Sequence, residues 1–229
     1  MKIDGKTTCI ILKKYNLAYI PIPKNCSSSI KTYLYEMLNG KKWKSYENNG
    51  KQFHIHTHWS FQNKKNPDRE SVFVKSNTTK SFVVLREPIK RYISAFANRV
   101  VNHGALGSSE KLTLNEFTND FETYINDFTD IKHHMTPQVN WICDDLSDFD
   151  WVFTTNEIQK MHKIISKYTK TNIDFPRLQT DGPNLNLTDL SKENFYRLID
   201  YYYEDYKTMR DYFTIDSIIS EYRELVDNE

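Results

Sequence analysis

Glycine is scarce in this chain, with six residues in 229, which speaks against a repeat-rich or disordered protein. Cysteine is scarcer still. Cys9, Cys26 and Cys143 make an odd number without metal-ligand spacing, so they are expected to be reduced thiols of a cytoplasmic protein. No apolar run approaches the roughly 20 residues of a membrane span. The start, Met1-Lys-Ile-Asp-Gly-Lys, lacks the apolar core of a signal peptide, so no membrane anchor is expected. Net charge is also nearly absent, at +1. Such a balance calls for neither nucleic acid nor an anionic membrane as partner, and any anion site must be local.

What remains is a globular composition, 27% charged and 38% hydrophobic, with 15 tyrosines and 13 phenylalanines. One domain over residues 1–229 is expected. Residues 8–12 and 17–22 read as strands joined by a hairpin-like Lys13-Lys-Tyr-Asn. From Ser28 the period changes, and Ile30, Tyr33, Leu34, Met37 and Leu38 mark a helix that stops at Asn39-Gly40. Residues 41–70 are polar, with 63–70 expected as a surface loop. Residues 81–85 and 151–155 read as buried parallel strands. Pro88 opens a helix carrying Ile89, Tyr92, Ile93, Phe96 and Val100. Residues 102–111 read as a mobile loop, 114–127 and 157–169 as helices, and 173–190 as irregular. A last helix begins near Ser191. Strands alternating with helices imply an α/β fold with a mainly parallel sheet.

Two segments carry chemistry. Pro21-Ile-Pro-Lys-Asn-Cys-Ser-Ser-Ser-Ile joins a strand end to a helix start. Backbone N–H groups and the dipole favour an anion there. Ser27, Ser28 and Ser29 add hydroxyls, and Lys24 adds a positive charge on a flexible stem. The purely structural alternative is a serine cap with Lys24 solvated. The Gly-x-x-x-x-Gly-Lys-Ser/Thr loop occurs nowhere, which argues against an ordinary nucleoside triphosphatase. In Val84-Leu-Arg-Glu-Pro-Ile-Lys-Arg-Tyr-Ile-Ser-Ala-Phe, Arg86 ends a strand and Ser94 lies two turns into the next helix. A guanidinium fork and a hydroxyl suit a second phosphate. Alternatively, Arg86 pairs with an acid and Ser94 only packs.

In this order the two segments resemble the paired motifs by which sulfotransferases bind 3′-phosphoadenosine 5′-phosphosulfate (PAPS). The nearest type is the carbohydrate and heparan 2-O-sulfotransferase group. The resemblance implies a three-layer, P-loop-like fold. It implies that Lys24, Asn25, Cys26, Ser27, Ser28 and Ser29 form the 5′-phosphosulfate loop, and that Arg86 and Ser94 bind the 3′-phosphate. More weakly, His134-Met-Thr-Pro-Gln, Asp150-Trp-Val-Phe-Thr-Thr-Asn-Glu-Ile and Tyr202-Tyr-Glu-Asp-Tyr resemble later elements of these enzymes, so the likeness covers about residues 17–213. Eukaryotic carbohydrate members usually carry a membrane anchor and paired cysteines; neither is expected here.

Sulfuryl transfer needs an acceptor hydroxyl in line, a base and a cation on the departing phosphate. Lys24 is expected to be that cation. Phe53-His-Ile-His-Thr-His-Trp-Ser-Phe places three histidines at alternate positions, which share one face if the segment is extended. His56-Thr-His58-Trp-Ser-Phe resembles the His-x-His segment carrying the base in heparan 2-O-sulfotransferases. His58 or His56 is the expected base, with His134 next. A metal site, half-buried strand histidines bonded to backbone, or a binding site for an anionic acceptor remain the alternatives; no metal is expected. The expected activity is sulfuryl transfer from PAPS to a hydroxyl of a carbohydrate. A phosphotransferase, or a non-catalytic binder of phosphorylated or sulfated ligands, is the alternative.

Overall fold

The computed structural model describes residues 9–64, 78–107, 111–142, 145–176, 178 and 183–228, with the backbone alone for 60–64. The chain divides into two compact units, Met1–Leu85 with Trp141–Thr180 and Arg86–Asn140 with Asp181–Glu229. Unit 1 opens with β1 (Ile10–Leu12), β2 (Leu17–Ile20), α1 (Ser27–Asn39), the small hairpin β3 (Tyr46–Asn48) and β4 (Lys51–Phe53), α2 (Ile55–Lys64) and β5 (Lys80–Leu85). The chain then runs through unit 2 as α3 (Pro88–Ala95), a π-helical turn (Phe96–Asn102), α4 (Leu114–Asn119), α5 (Phe121–Asp127) and α6 (Thr129–Met135). It returns to unit 1 for β6 (Trp151–Thr154) and α7 (Ile158–Thr169), and ends in unit 2 with α8 (Lys192–Tyr201), α9 (Tyr203–Thr208) and α10 (Ile215–Asp227).

Unit 1 is built on a mixed, mainly parallel sheet in the order β1-β2-β5-β6. β1 is antiparallel to β2, whereas β2 with β5 and β5 with β6 run parallel, in registers that pair Tyr19 with Phe82 and Val84 with Phe153. All four residues of β2 are buried, as a strand covered on both faces requires. The α1 stripe of Ile30, Tyr33, Leu34 and Met37 packs with Tyr19, Phe82 and Val84 of the sheet and with Met161 and Ile165 of α7. Gly40 ends α1 in the left-handed region at φ 64°, with its N–H on Glu36 O at 2.8 Å, as a helix C-cap demands. The unit is thus an α/β arrangement, the mainly parallel sheet flanked by helices. Unit 2 is helical, and its core joins Tyr92 and Phe96 to Phe117, Phe121, Phe195 and Tyr202.

Four expectations change. Of the alternating histidines, His56 and His58 belong to helix α2, not to a strand, and His54 immediately precedes it. Residues 114–127 form two helices that break at Asp120. The polar stretch after α1 contains a hairpin, β3 and β4. The last helix breaks at Tyr202 and is followed by α10. Thr8, the 65–70 part of the proposed surface loop, residues 108–110 and Cys143 lie outside the described residues. Among the described residues no helix is long and apolar enough to cross a membrane.

Candidate active site

The first turn leaves β2 through Pro21, Ile22 and Pro23. Asn25 N–H closes it on Ile22 O at 3.3 Å. Asn25 is fully buried, and its Nδ2 donates to Val84 O at 2.8 Å, tying the turn to β5. On either side of this anchor the backbone is left-handed, at Lys24 (φ 69°) and Cys26 (φ 58°). Such conformations cost non-glycine residues on the order of 1 kcal/mol each and persist where the surroundings impose them, most often at functional sites. The turn lies at the carboxyl end of a parallel strand, where open α/β sheets bind ligands.

α1 begins with Cys26 as N-cap, and no side chain caps it. Ser27, Ser28 and Ser29 lie inside the first turn and are buried. They are not the serine cap of the structural alternative. Ser28 Oγ meets His56 Nε2 at 2.9 Å, and Ser29 Oγ accepts the N–H of Leu178 at 3.2 Å. Lys24 stands in the turn just before this helix N-terminus, whose dipole favours an anion.

Helix α2 separates the histidines. Two residues on a helix are about 200° apart, so His56 and His58 leave opposite sides. His56 turns to α1, with Nε2 on Ser28 and Nδ1 3.0 Å from Lys31 Nζ. His58 turns into an aromatic cluster. Its Nδ1 meets Tyr46 Oη at 3.0 Å, and rings of Tyr35, Trp43 and Trp59 lie edge-on to it. Burial there pulls its pKa down. His54 precedes the helix and is exposed. The extended, one-faced arrangement is therefore overturned, since helical geometry wins once Ile55 and Trp59 are buried one turn apart. Among the described residues no group of three metal-ligating side chains is assembled.

From Arg86 onward the second motif belongs to unit 2. Arg86 is half-buried, and its backbone is gripped by one side chain: its N–H donates to Gln138 Oε1 at 3.1 Å, and its C=O accepts from Gln138 Nε2 at 2.7 Å. Gln138 is itself held by Asp205, whose carboxylate accepts the N–H groups of Gln138 and Val139 at 2.9 Å each. Glu87 caps α3 by accepting Lys90 N–H at 2.6 Å, and it accepts the Tyr206 hydroxyl. Burial raises the Glu87 pKa above the usual carboxylate value, against these hydrogen bonds. Arg91, also fully buried, donates to Thr136 O at 2.9 Å, and Tyr202 Oη donates to Met135 O at 2.6 Å. Residues 134–138 and 202–206 thus form one polar framework around the Arg86 backbone. Sequence had marked both segments by likeness, and Tyr202 and Tyr206 also by their place in the stripe of the last helix. Ser94 is half-buried within α3.

His134 also lies in unit 2. Its Nδ1 donates to Asp130 O at 2.8 Å, leaving Nε2 as the lone-pair nitrogen. Burial, helped by nearby His133 and Arg99, pulls its pKa from 6.5 down to about 4, against the pull of Asp130. Between those values the unfolded chain binds a proton that the folded chain does not. Stability from this group is therefore full at neutral pH and falls as pH drops from about 6.5 to 4, by at most about 3 kcal/mol. Urea unfolding across that window is expected to show the loss, and His134→Gln to flatten it. An equally steep profile in the variant would remove His134 as the source.

The family profile described as the sulfotransferase family matches residues 7–209, most of the chain and parts of both units. No curated protein and no solved structure gives a match. A mainly parallel α/β sheet, with a serine-lined turn and a lysine at the carboxyl end of β2, fits an enzyme that transfers a group from an anionic donor. The chain belongs to the sulfotransferase family and is a sulfotransferase.

Proposed function

We propose that the protein moves a sulfuryl group from PAPS to a hydroxyl of a carbohydrate, with His56 as the base. The observation that carries this reading is the His56 Nε2 contact with Ser28 Oγ, which sets an imidazole beside the turn suited to the phosphosulfate. Lys24 through Ser29 take the 5′-phosphosulfate, and Arg86 with Ser94 take the 3′-phosphate. The acceptor oxygen bonds sulfur as the bond from sulfur to the 5′-phosphate oxygen breaks. His56 takes the acceptor's proton, and Lys24 holds the charge that appears on the departing phosphate. His58 builds the aromatic cluster behind this site. The carbohydrate assignment is supported by the motif pair and by the His-x-His segment between its halves. The span of the family profile over both units supports one sulfotransferase domain across residues 1–229.

The test is thermal stabilisation by adenosine 3′,5′-bisphosphate against ATP, together with transfer of labelled sulfate from PAPS to a panel of hydroxyl acceptors that includes sugars. Stabilisation by the bisphosphate is expected, with Arg86→Ala weakening it. His56→Gln is expected to lower kcat about a hundredfold, the ordinary share of a general base, and His58→Phe to change it only a few fold. Stabilisation by ATP alone sinks the donor assignment. A greater loss in His58→Phe than in His56→Gln sinks the choice of base.

A further inference from the structure

Lys31 lies one turn after Ser28 on α1, so the two side chains leave the same face. Its Nζ is 3.0 Å from His56 Nδ1, while Nε2 of the same ring meets Ser28 Oγ. An ammonium donates hydrogen bonds and never accepts them. A charged Lys31 therefore makes Nδ1 the lone-pair nitrogen and puts the ring proton on Nε2. In that state Nε2 has no lone pair with which to take a proton. With Lys31 a neutral amine the ring reverses: Nδ1–H donates to the amine, and Nε2 accepts.

We propose that Lys31 is a positioning residue that sets the tautomer of His56, so that His56 acts as base when Lys31 is uncharged. This rests on the assignment of His56 as base. The proton count closes through the pair. As the acceptor oxygen bonds sulfur, its proton passes to Nε2, and the Nδ1 proton passes to the Lys31 amine. The resulting ammonium returns its proton to water before the next turnover. The surroundings suit a lysine that gives up its charge. Lys31 is half-buried, and among the described residues no carboxylate pairs with it. Among the described residues the groups bonded to it are His56, whose Nδ1 meets its Nζ, and Trp59, which donates its indole N–H to Lys31 O at 3.0 Å. Neither is acidic. Burial draws the ammonium pKa from 10.5 down to about 8.

Nitrogen NMR of the full chain with labelled histidine tests this directly. His56 is expected as the Nε2–H tautomer near pH 7 and as Nδ1–H once pH passes about 8. Lys31→Met removes the charge, and His56 is then expected to become imidazolium roughly one pH unit higher than in the wild type. Lys31→Arg stays charged and is expected to hold Nε2–H at every pH where the ring is neutral. PAPS turnover is expected to rise through the same pH range in the wild type and to stay low in Lys31→Arg. An unchanged His56 tautomer and titration in Lys31→Met overturns the inference. A tautomer that follows Lys31 while Lys31→Arg turns over like the wild type upholds the control of the tautomer by Lys31 and overturns His56 as base.

Discussion

Lys24→Ala is expected to lower kcat about a thousandfold, the upper part of the range for removing one group that stabilises transition-state charge. Sulfuryl transfer leaves new negative charge on the bridging phosphate oxygen, and a cation that meets it there contributes mainly in the transition state. The backbone supplies a control. Lys24 occupies the left-handed region at φ 69°, so alanine inherits its strain while glycine does not. Lys24→Gly is therefore expected to be more stable than Lys24→Ala by up to about 1 kcal/mol, yet equally slow. Lys24→Arg is expected to rescue little, because a planar fork cannot follow one phosphate oxygen as an ammonium can. Single-turnover kinetics with melting curves for the three variants decides the matter. If Lys24→Gly keeps most of the wild-type rate, the residue serves the turn's conformation and not the chemistry.

Much of unit 1 was legible because its signals are local. The stripe of Ile30, Tyr33, Leu34 and Met37 keeps the helical period, and all four residues are buried. The two expected parallel strands appear at Lys80–Leu85 and Trp151–Thr154, and the expected hairpin appears as β1 and β2. The histidines misled because alternation among polar residues imitates a strand. The informative pair was apolar, Ile55 and Trp59 at one helical turn, 7% and 5% exposed. Helix α10 carried a readable stripe too, since Ile218 and Tyr222 are both buried.

The candidate site was legible in its parts and not in its supports. Lys24 to Ser29 stood out because a charge and three hydroxyls follow a strand. The Asn25 anchor depends on Val84, 59 residues away, and the grip on Arg86 depends on Gln138, 52 residues away. No local period encodes such pairs. Lys31 carried one local sign, its place one turn beyond Ser28, but its role appears only once α2 brings His56 to α1.

The strongest of those remote supports is Asp205, and Asp205→Ala is expected to cost about 3–5 kcal/mol of folding free energy. The carboxylate is fully buried and accepts two backbone N–H groups, so its loss leaves one buried and one half-buried donor without this acceptor. It also removes a negative charge near Arg91, a fully buried cation. Burial nonetheless raises the Asp205 pKa, against the N–H bonds from Gln138 and Val139 and the pull of Arg91. A folded pKa above the unfolded one means that ionisation is opposed by the fold. This part of the stability is full below the unfolded pKa and declines as pH rises through the folded one. The charge is thus kept at a cost, and what it secures is the position of Gln138 and, through it, of the Arg86 backbone. Asp205→Asn separates these contributions. Its amide oxygen still accepts one N–H, but its NH2 faces the other, so a smaller loss of about 2 kcal/mol is expected. Both variants are expected to bind adenosine 3′,5′-bisphosphate more weakly even where they remain folded, because Arg86 loses its fixed backbone. Urea unfolding and calorimetric titration read the two effects separately. An Asp205→Ala protein that unfolds within about 1 kcal/mol of the wild type would show that the framework around Arg86 stands without its carboxylate.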